Sequence, residues 1–156
     1  DWTKPAESQI MLTDRDHWVT ALAFRPDGKH LAYAAANRVY VLDLEGKKVA
    51  TAVELLNERG EREGEIHTLS YTPDGKRLFL GLRRNPHHRS EIVLIDPVER
   101  KELARRTDLP GEPGKAIFPD KDRLIVTYNK HIQICDASNL QMKHEIRLDH
   151  ESQAMV

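Results

Sequence analysis

The sequence predicts an all-β fold built from about three repeated four-stranded antiparallel units, and three observations carry that expectation. A turn motif, Pro-Asp-Gly-Lys, occurs at 26–29 and 73–76, with a looser copy, Pro-Asp-Lys-Asp, at 119–122. Each copy joins two short runs of alternating apolar residues: VTALAF to HLAYAA, IHTLSY to RLFLGL, and KAIF to RLIVTY. Each pair is followed by a third run ending in aspartate, RVYVLD, EIVLID or HIQICD. Alternation with a period of two is the pattern of half-buried strands.

Residues 1–8 are polar, carry Pro5 and read as an irregular lead-in, while 9–13 (QIMLT) reads as a lone strand. The first unit places strands at 18–24, 30–35, 38–43 and 47–53. Proline fixes φ in its first turn and Gly28 accepts a positive φ. Asn37 is expected to take a left-handed backbone in the second turn, and Glu45-Gly46 to make the third. The second unit places strands at 66–71, 77–82, 91–96 and 101–105, and the third at 115–118, 123–128, 131–136 and 141–148. Connections this short force neighbouring strands to pair antiparallel, so each unit is a meander.

The turn prolines stand 47 and 46 residues apart, and a four-stranded unit of about that length is the signature of a propeller blade. Blades are expected at about 17–53, 66–105 and 114–148 in a single β-propeller segment spanning 1–156. The strand at 9–13 and the tail at 149–156 would belong to neighbouring blades. With Pro-Asp-Gly-Lys in the preceding turn, the third strands RVYVLD, EIVLID and HIQICD resemble those of the WD-repeat and YVTN-type β-propeller families. Leu42, Ile95 and Cys135 stand where the WD dipeptide has its tryptophan. The resemblance implies that His17 and His150 brace inter-blade turns through hydrogen bonds.

Three blades are fewer than the roughly four to eight that close a ring. The chain therefore reads as part of a larger ring, completed by blades of a longer polypeptide, by another polypeptide, or by further copies of itself. It begins at Asp1, as a processed or trimmed chain would, so a removed signal peptide and the compartment both stay open.

Lysine and arginine number 24 against 25 acidic residues, and a net charge of -1 gives no indication of a nucleic-acid partner. Apolar runs are strand-length, so no membrane-spanning helix is expected. One cysteine excludes an intramolecular disulfide and a thiolate-rich metal site. Between Ile134 and Asp136, Cys135 reads as a small buried hydrophobe rather than a nucleophile.

In a meander the tight turns share one face of the disc, while the connections between second and third strands and between blades share the other. Those on the second face are longer: ELLNERGEREGE at 54–65, RRNPHHRS at 83–90 and TDLPGEPG at 107–114. Long loops often carry binding. Arg83, Arg84, His87, His88 and Arg89 form a basic corner opposite the acidic Glu58, Glu61 and Glu63. One reading makes these two loops a partner-docking surface, since an arginine fork suits carboxylate or phosphate. The other makes them solvated surface, paired with each other for about 0 to 1 kcal/mol per exposed bridge.

His87 and His88 are adjacent, with no further ligand at a familiar spacing, so no metal or other cofactor is expected. Nor do nucleotide or hydrolase motifs occur, so no catalytic residue is assigned. Trp18 reads as packed between blades or as an interface anchor. Two functions follow. The first is a non-catalytic scaffold that binds another protein, or another domain of its own chain, through the loop-rich face. The second is an enzymatic or cofactor-binding propeller, YVTN- or lactonase-like, whose active residues lie partly in other blades.

Overall fold

A computed structural model describes residues 18–56, 64–83 and 90–148, and every regular element among them is a strand. The first sheet comprises β1 (Val19–Phe24), β2 (His30–Ala35), β3 (Arg38–Asp43) and β4 (Lys48–Glu54). The second comprises β5 (Glu65–Tyr71), β6 (Leu78–Arg83), β7 (Glu91–Asp96) and β8 (Lys101–Arg106). The third comprises β9 (Pro113–Ile117), β10 (Arg123–Tyr128), β11 (His131–Asp136) and β12 (Met142–Arg147). Each sheet runs in chain order with antiparallel neighbours, as three blades of an unclosed propeller. The expected strands at 9–13 and in 149–156 lie outside the described residues, as do His17 and His150.

The aspartates ending the third strands have a common task. The Oδ1 of Asp43 accepts the N–H groups of Glu45 and Gly46, and that of Asp96 accepts those of Val98 and Glu99. Asp136 Oδ1 accepts the Ser138 N–H and hydroxyl. Four residues after each aspartate the chain takes a positive φ, at Lys47, Arg100 and Leu140. This left-handed residue is why β4 begins at Lys48 and not at 47. It also means that Gly46 serves by close approach, since a Cβ there would lie 2.6 Å from Asp43 Oδ2.

A second difference concerns Asn37. The left-handed residue of that turn is Ala36, with φ 52, because the Asn37 side chain is buried and its Nδ2 donates to the Leu55 carbonyl at 2.8 Å. The fourth strands carry a further regularity that alternation does not reveal. Registers slip between Val41 and Leu42, Leu94 and Ile95, and Ile134 and Cys135. A bulge thus recurs at the same place in all three blades, adding local twist.

Blades stack through apolar layers. Between the first and second lie Ala32, Val39 and Val41 against Leu69, Tyr71 and Leu80. Between the second and third lie Phe79, Ile92 and Leu94 against Leu124, Val126 and Tyr128. Hydrogen bonds stitch the same junctions: the Thr20 hydroxyl donates to the Ile66 carbonyl, and the Thr68 hydroxyl to that of Gly114. The Ile66 N–H donates to the Ala36 carbonyl at 2.9 Å.

Among the described residues no such layer covers the two ends of the stack. Leu22 and Phe24 are 61% and 65% exposed, whereas Leu69 and Tyr71, at the same positions of the second blade, are 8% and 7% exposed. On the last blade, registers put Ile117, Ile125 and Ile134 on one side of the sheet, next to Ile132 and Ile146. All five are at least partly exposed. The corresponding residues that face forward from the first blade, Ala32, Val39, Val41 and Val53, are buried.

Candidate functional site

Two faces and one groove could serve a partner. The turn face is built from the Asx-braced hairpins. Asp27, Asp74 and Asp120 each accept the N–H two residues on, at 2.8 to 3.0 Å. Gly28 and Gly75 both take φ +69. Bonds to the charged form hold these carboxyls down. For Asp74 the Thr72 hydroxyl contributes most, then the Lys76 N–H, and its pKa lies below the ordinary 3.8.

The loop-rich face is braced by two arginines at the end of β8. Arg105 donates to Glu91, which is buried, to Glu102 at 2.5 Å and to the Leu56 carbonyl at 3.0 Å, tying the second blade to the first. Arg106 reaches the other way. It donates to Gln133 Oε1 at 2.7 Å and to the Leu140 carbonyl at 3.3 Å, and its Nη1 lies 3.5 Å from Cys135 Sγ. Gln133 passes the chain on, donating to Glu145 Oε1 at 2.8 Å. Both arginines are therefore inter-blade braces. Their partners across the junctions, Leu56, Gln133 and Leu140, lie 27 to 49 residues away in sequence, and nothing in the strand pattern marks them.

Of the residues singled out on this face, Arg83 is described. Its Nε pairs with Glu112 Oε1 at 3.0 Å, and both side chains are more than half exposed. Arg83 thus reaches the connection entering the third blade. That contact is local, because β6 and the 107–112 connection emerge at the same junction. Arg84, His87, His88, Arg89, Glu58, Glu61 and Glu63 lie outside the described residues. Trp18 is 89% exposed, so it is not packed between the described blades.

The inner strands form the third candidate. An open groove of about 460 Å³ runs along β1, β5 and β9, lined by residues including Leu22, His67, Thr68 and Lys115. His67 Nε2 lies 3.1 Å from Glu65 Oε2. The groove offers an imidazole and an ammonium beside apolar side chains. Among the described residues no three His, Cys, Asp or Glu side chains gather as a metal set would. Cys135 is buried; burial pushes its thiol pKa up, against the opposing effect of Arg106.

No protein-family model and no curated protein matches the chain. Solved structures do. The structure of U3-55K superposes with a TM-score of 0.73 at 14% identity, covering 90% of this chain and 42% of that one. The WD40 repeats of RRP9 superpose with a TM-score of 0.71 at 14% identity, covering 90% of this chain and 41% of that one. The chain thus has the fold of a WD-repeat β-propeller and spans about two fifths of the length of these structures.

Proposed function

We propose that this chain is a non-catalytic portion of a β-propeller scaffold, which binds another protein or another domain of its own polypeptide. The observation that carries the reading is the contrast between equivalent positions. Leu22 and Phe24 lie open at one end of the stack, while their counterparts Leu69 and Tyr71 are covered by a neighbouring blade. Apolar area contributes about 25 cal/mol per Å² when removed from water, so faces of this kind favour a covering sheet. Further blades are the proposed cover, which leaves the loop-rich face for partner recognition.

On that face the basic corner of Arg83, Arg84, His87, His88 and Arg89, with Glu58, Glu61 and Glu63 opposite, is the proposed docking surface. Its chemistry suits a partner segment carrying carboxylates. The Arg83–Glu112 pair is exposed on both sides and is worth at most about 1 kcal/mol, so a partner carboxylate can displace Glu112. Changing Arg83, Arg84 and Arg89 together to Ser should weaken partner capture in a pull-down titration while leaving the thermal unfolding midpoint in place. Unchanged affinity would remove this loop from the interface.

A further inference from the structure

The three hairpin turns at 25–30, 72–77 and 118–123 lie side by side on the turn face, and their junctions differ. Aligned on their prolines, Arg25 corresponds to Thr72, and Gly75 to Lys121. Between the first and second blades the Arg25 stem lies over Gly75, where a Cβ would meet its Cγ and Nε at 3.1 Å. The Arg25 guanidinium pairs with Asp27 at 3.4 Å. That junction is filled, and its charge is answered.

Between the second and third blades the exchange is reversed: a short threonine replaces the arginine, and a lysine replaces the glycine. A cavity of about 80 Å³ results, lined by Thr72, Pro73, Asp74, Arg77, Lys121 and Ala137. Its one carboxylate is engaged, since Asp74 Oδ1 accepts the Thr72 hydroxyl at 2.6 Å and the Lys76 N–H at 3.0 Å. Asp120, the neighbour of Lys121, is held by Arg123 at 2.5 Å. Among the described residues neither the Arg77 guanidinium nor the Lys121 ammonium forms an ion pair. Two cations and one committed carboxylate leave the cavity with a formal charge of about +1.

We propose that this cavity is an oxyanion site for a phosphate group. An arginine fork presents two parallel donors and a lysine a third, which matches three oxygens of a tetrahedral anion. A phosphate carries about -1.5 to -2 charges, enough to answer both cations. About 80 Å³ is several times the roughly 10–15 Å³ that one water requires. The site lies on the face opposite the loops assigned to partner docking and does not depend on that assignment.

The test is a titration of the protein with inorganic phosphate at low ionic strength, followed by backbone amide shifts and by calorimetry. Lys121→Gly, which installs the residue of the neighbouring turn, and Arg77→Gln should each weaken binding by about tenfold or more. Lys76→Gln, outside the cavity lining, should keep affinity within about twofold. Matching thermal midpoints establish that each variant is folded. A peptide bearing one phosphoserine that binds about tenfold tighter than free phosphate would identify a phosphorylated partner as the source. Equal affinity would identify the free ion, and either result upholds the site. Absence of saturable phosphate binding, or equal losses in Lys76→Gln and the two cavity variants, overturns it.

Discussion

Replacing Leu94 with Ala should destabilise the 156-residue chain by about 2 kcal/mol more than replacing Ile134, although the two occupy the same position in successive blades. Leu94 has no exposed surface and sits in the layer between the second and third blades with Phe79, Ile92, Leu124 and Tyr128. Removing three carbons there forfeits about 0.8 kcal/mol per carbon in transfer energy. The enclosed void adds about 24 cal/mol per Å³, so the total falls near 3 to 5 kcal/mol. Ile134 lies on the open side of the last blade and is already partly hydrated. No enclosed void can form, and the loss stays near 1 kcal/mol. Urea unfolding in dilute solution reads the difference. With a slope of about 2 kcal/mol per molar, the two midpoints should separate by about 1 M. Equal shifts would refute the reasoning, because they would mean that the outer face of the third blade is covered within this chain.

Three further outcomes follow from the turns and from the core. Gly75→Val should lower stability by about 2 kcal/mol or more, through its φ of +69 and the contact with Arg25; Gly28→Val, with the same φ and open space around it, should lose less in thermal unfolding. Asp74 and Asp136 have folded pKa values below 3.8, chiefly through the hydroxyls of Thr72 and Ser138. Their stabilisation is present above the unfolded value and is lost as pH falls through the folded one. Unfolding midpoints should therefore drop below about pH 4, less steeply in Asp74→Asn and Asp136→Asn variants. Cys135, buried and with its pKa raised, should resist alkylation in the native protein and react once urea exposes it; rapid native labelling would contradict its placement.

The fold was legible because turn chemistry and alternation agree at each repeat. Pro26, Pro73 and Pro119 mark the hairpins, and Asp43, Asp96 and Asp136 mark the ends of the third strands. Local interactions, each spanning two or three residues, produce those features, and a sequence displays such interactions directly. Positions of strain were less legible. The left-handed residues of three turns are Lys47, Arg100 and Leu140, which no propensity singles out; the preceding aspartate, accepting bonds within the turn, imposes the conformation.

The junctions were least legible. Arg105 closes the strand expected at 101–105 and Arg106 falls just past it, yet their partners Leu56, Glu91, Gln133 and Leu140 come from three blades. The cavity of Arg77 and Lys121 likewise depends on two turns meeting, and becomes visible only when Thr72 is compared with Arg25 in place. Arg83 was legible as a basic residue near a junction, while its pairing with Glu112 depends on which two connections emerge together.

The outer blades of the stack end in apolar faces shaped for further blades, and the mass of the 156-residue chain in solution reads that property, by light scattering after size exclusion over a range of concentrations. The mass should rise above one chain as concentration increases, with Ile125→Lys and Ile134→Lys shifting it back toward one. A folded monomer at every concentration, unaffected by those substitutions, would contradict it.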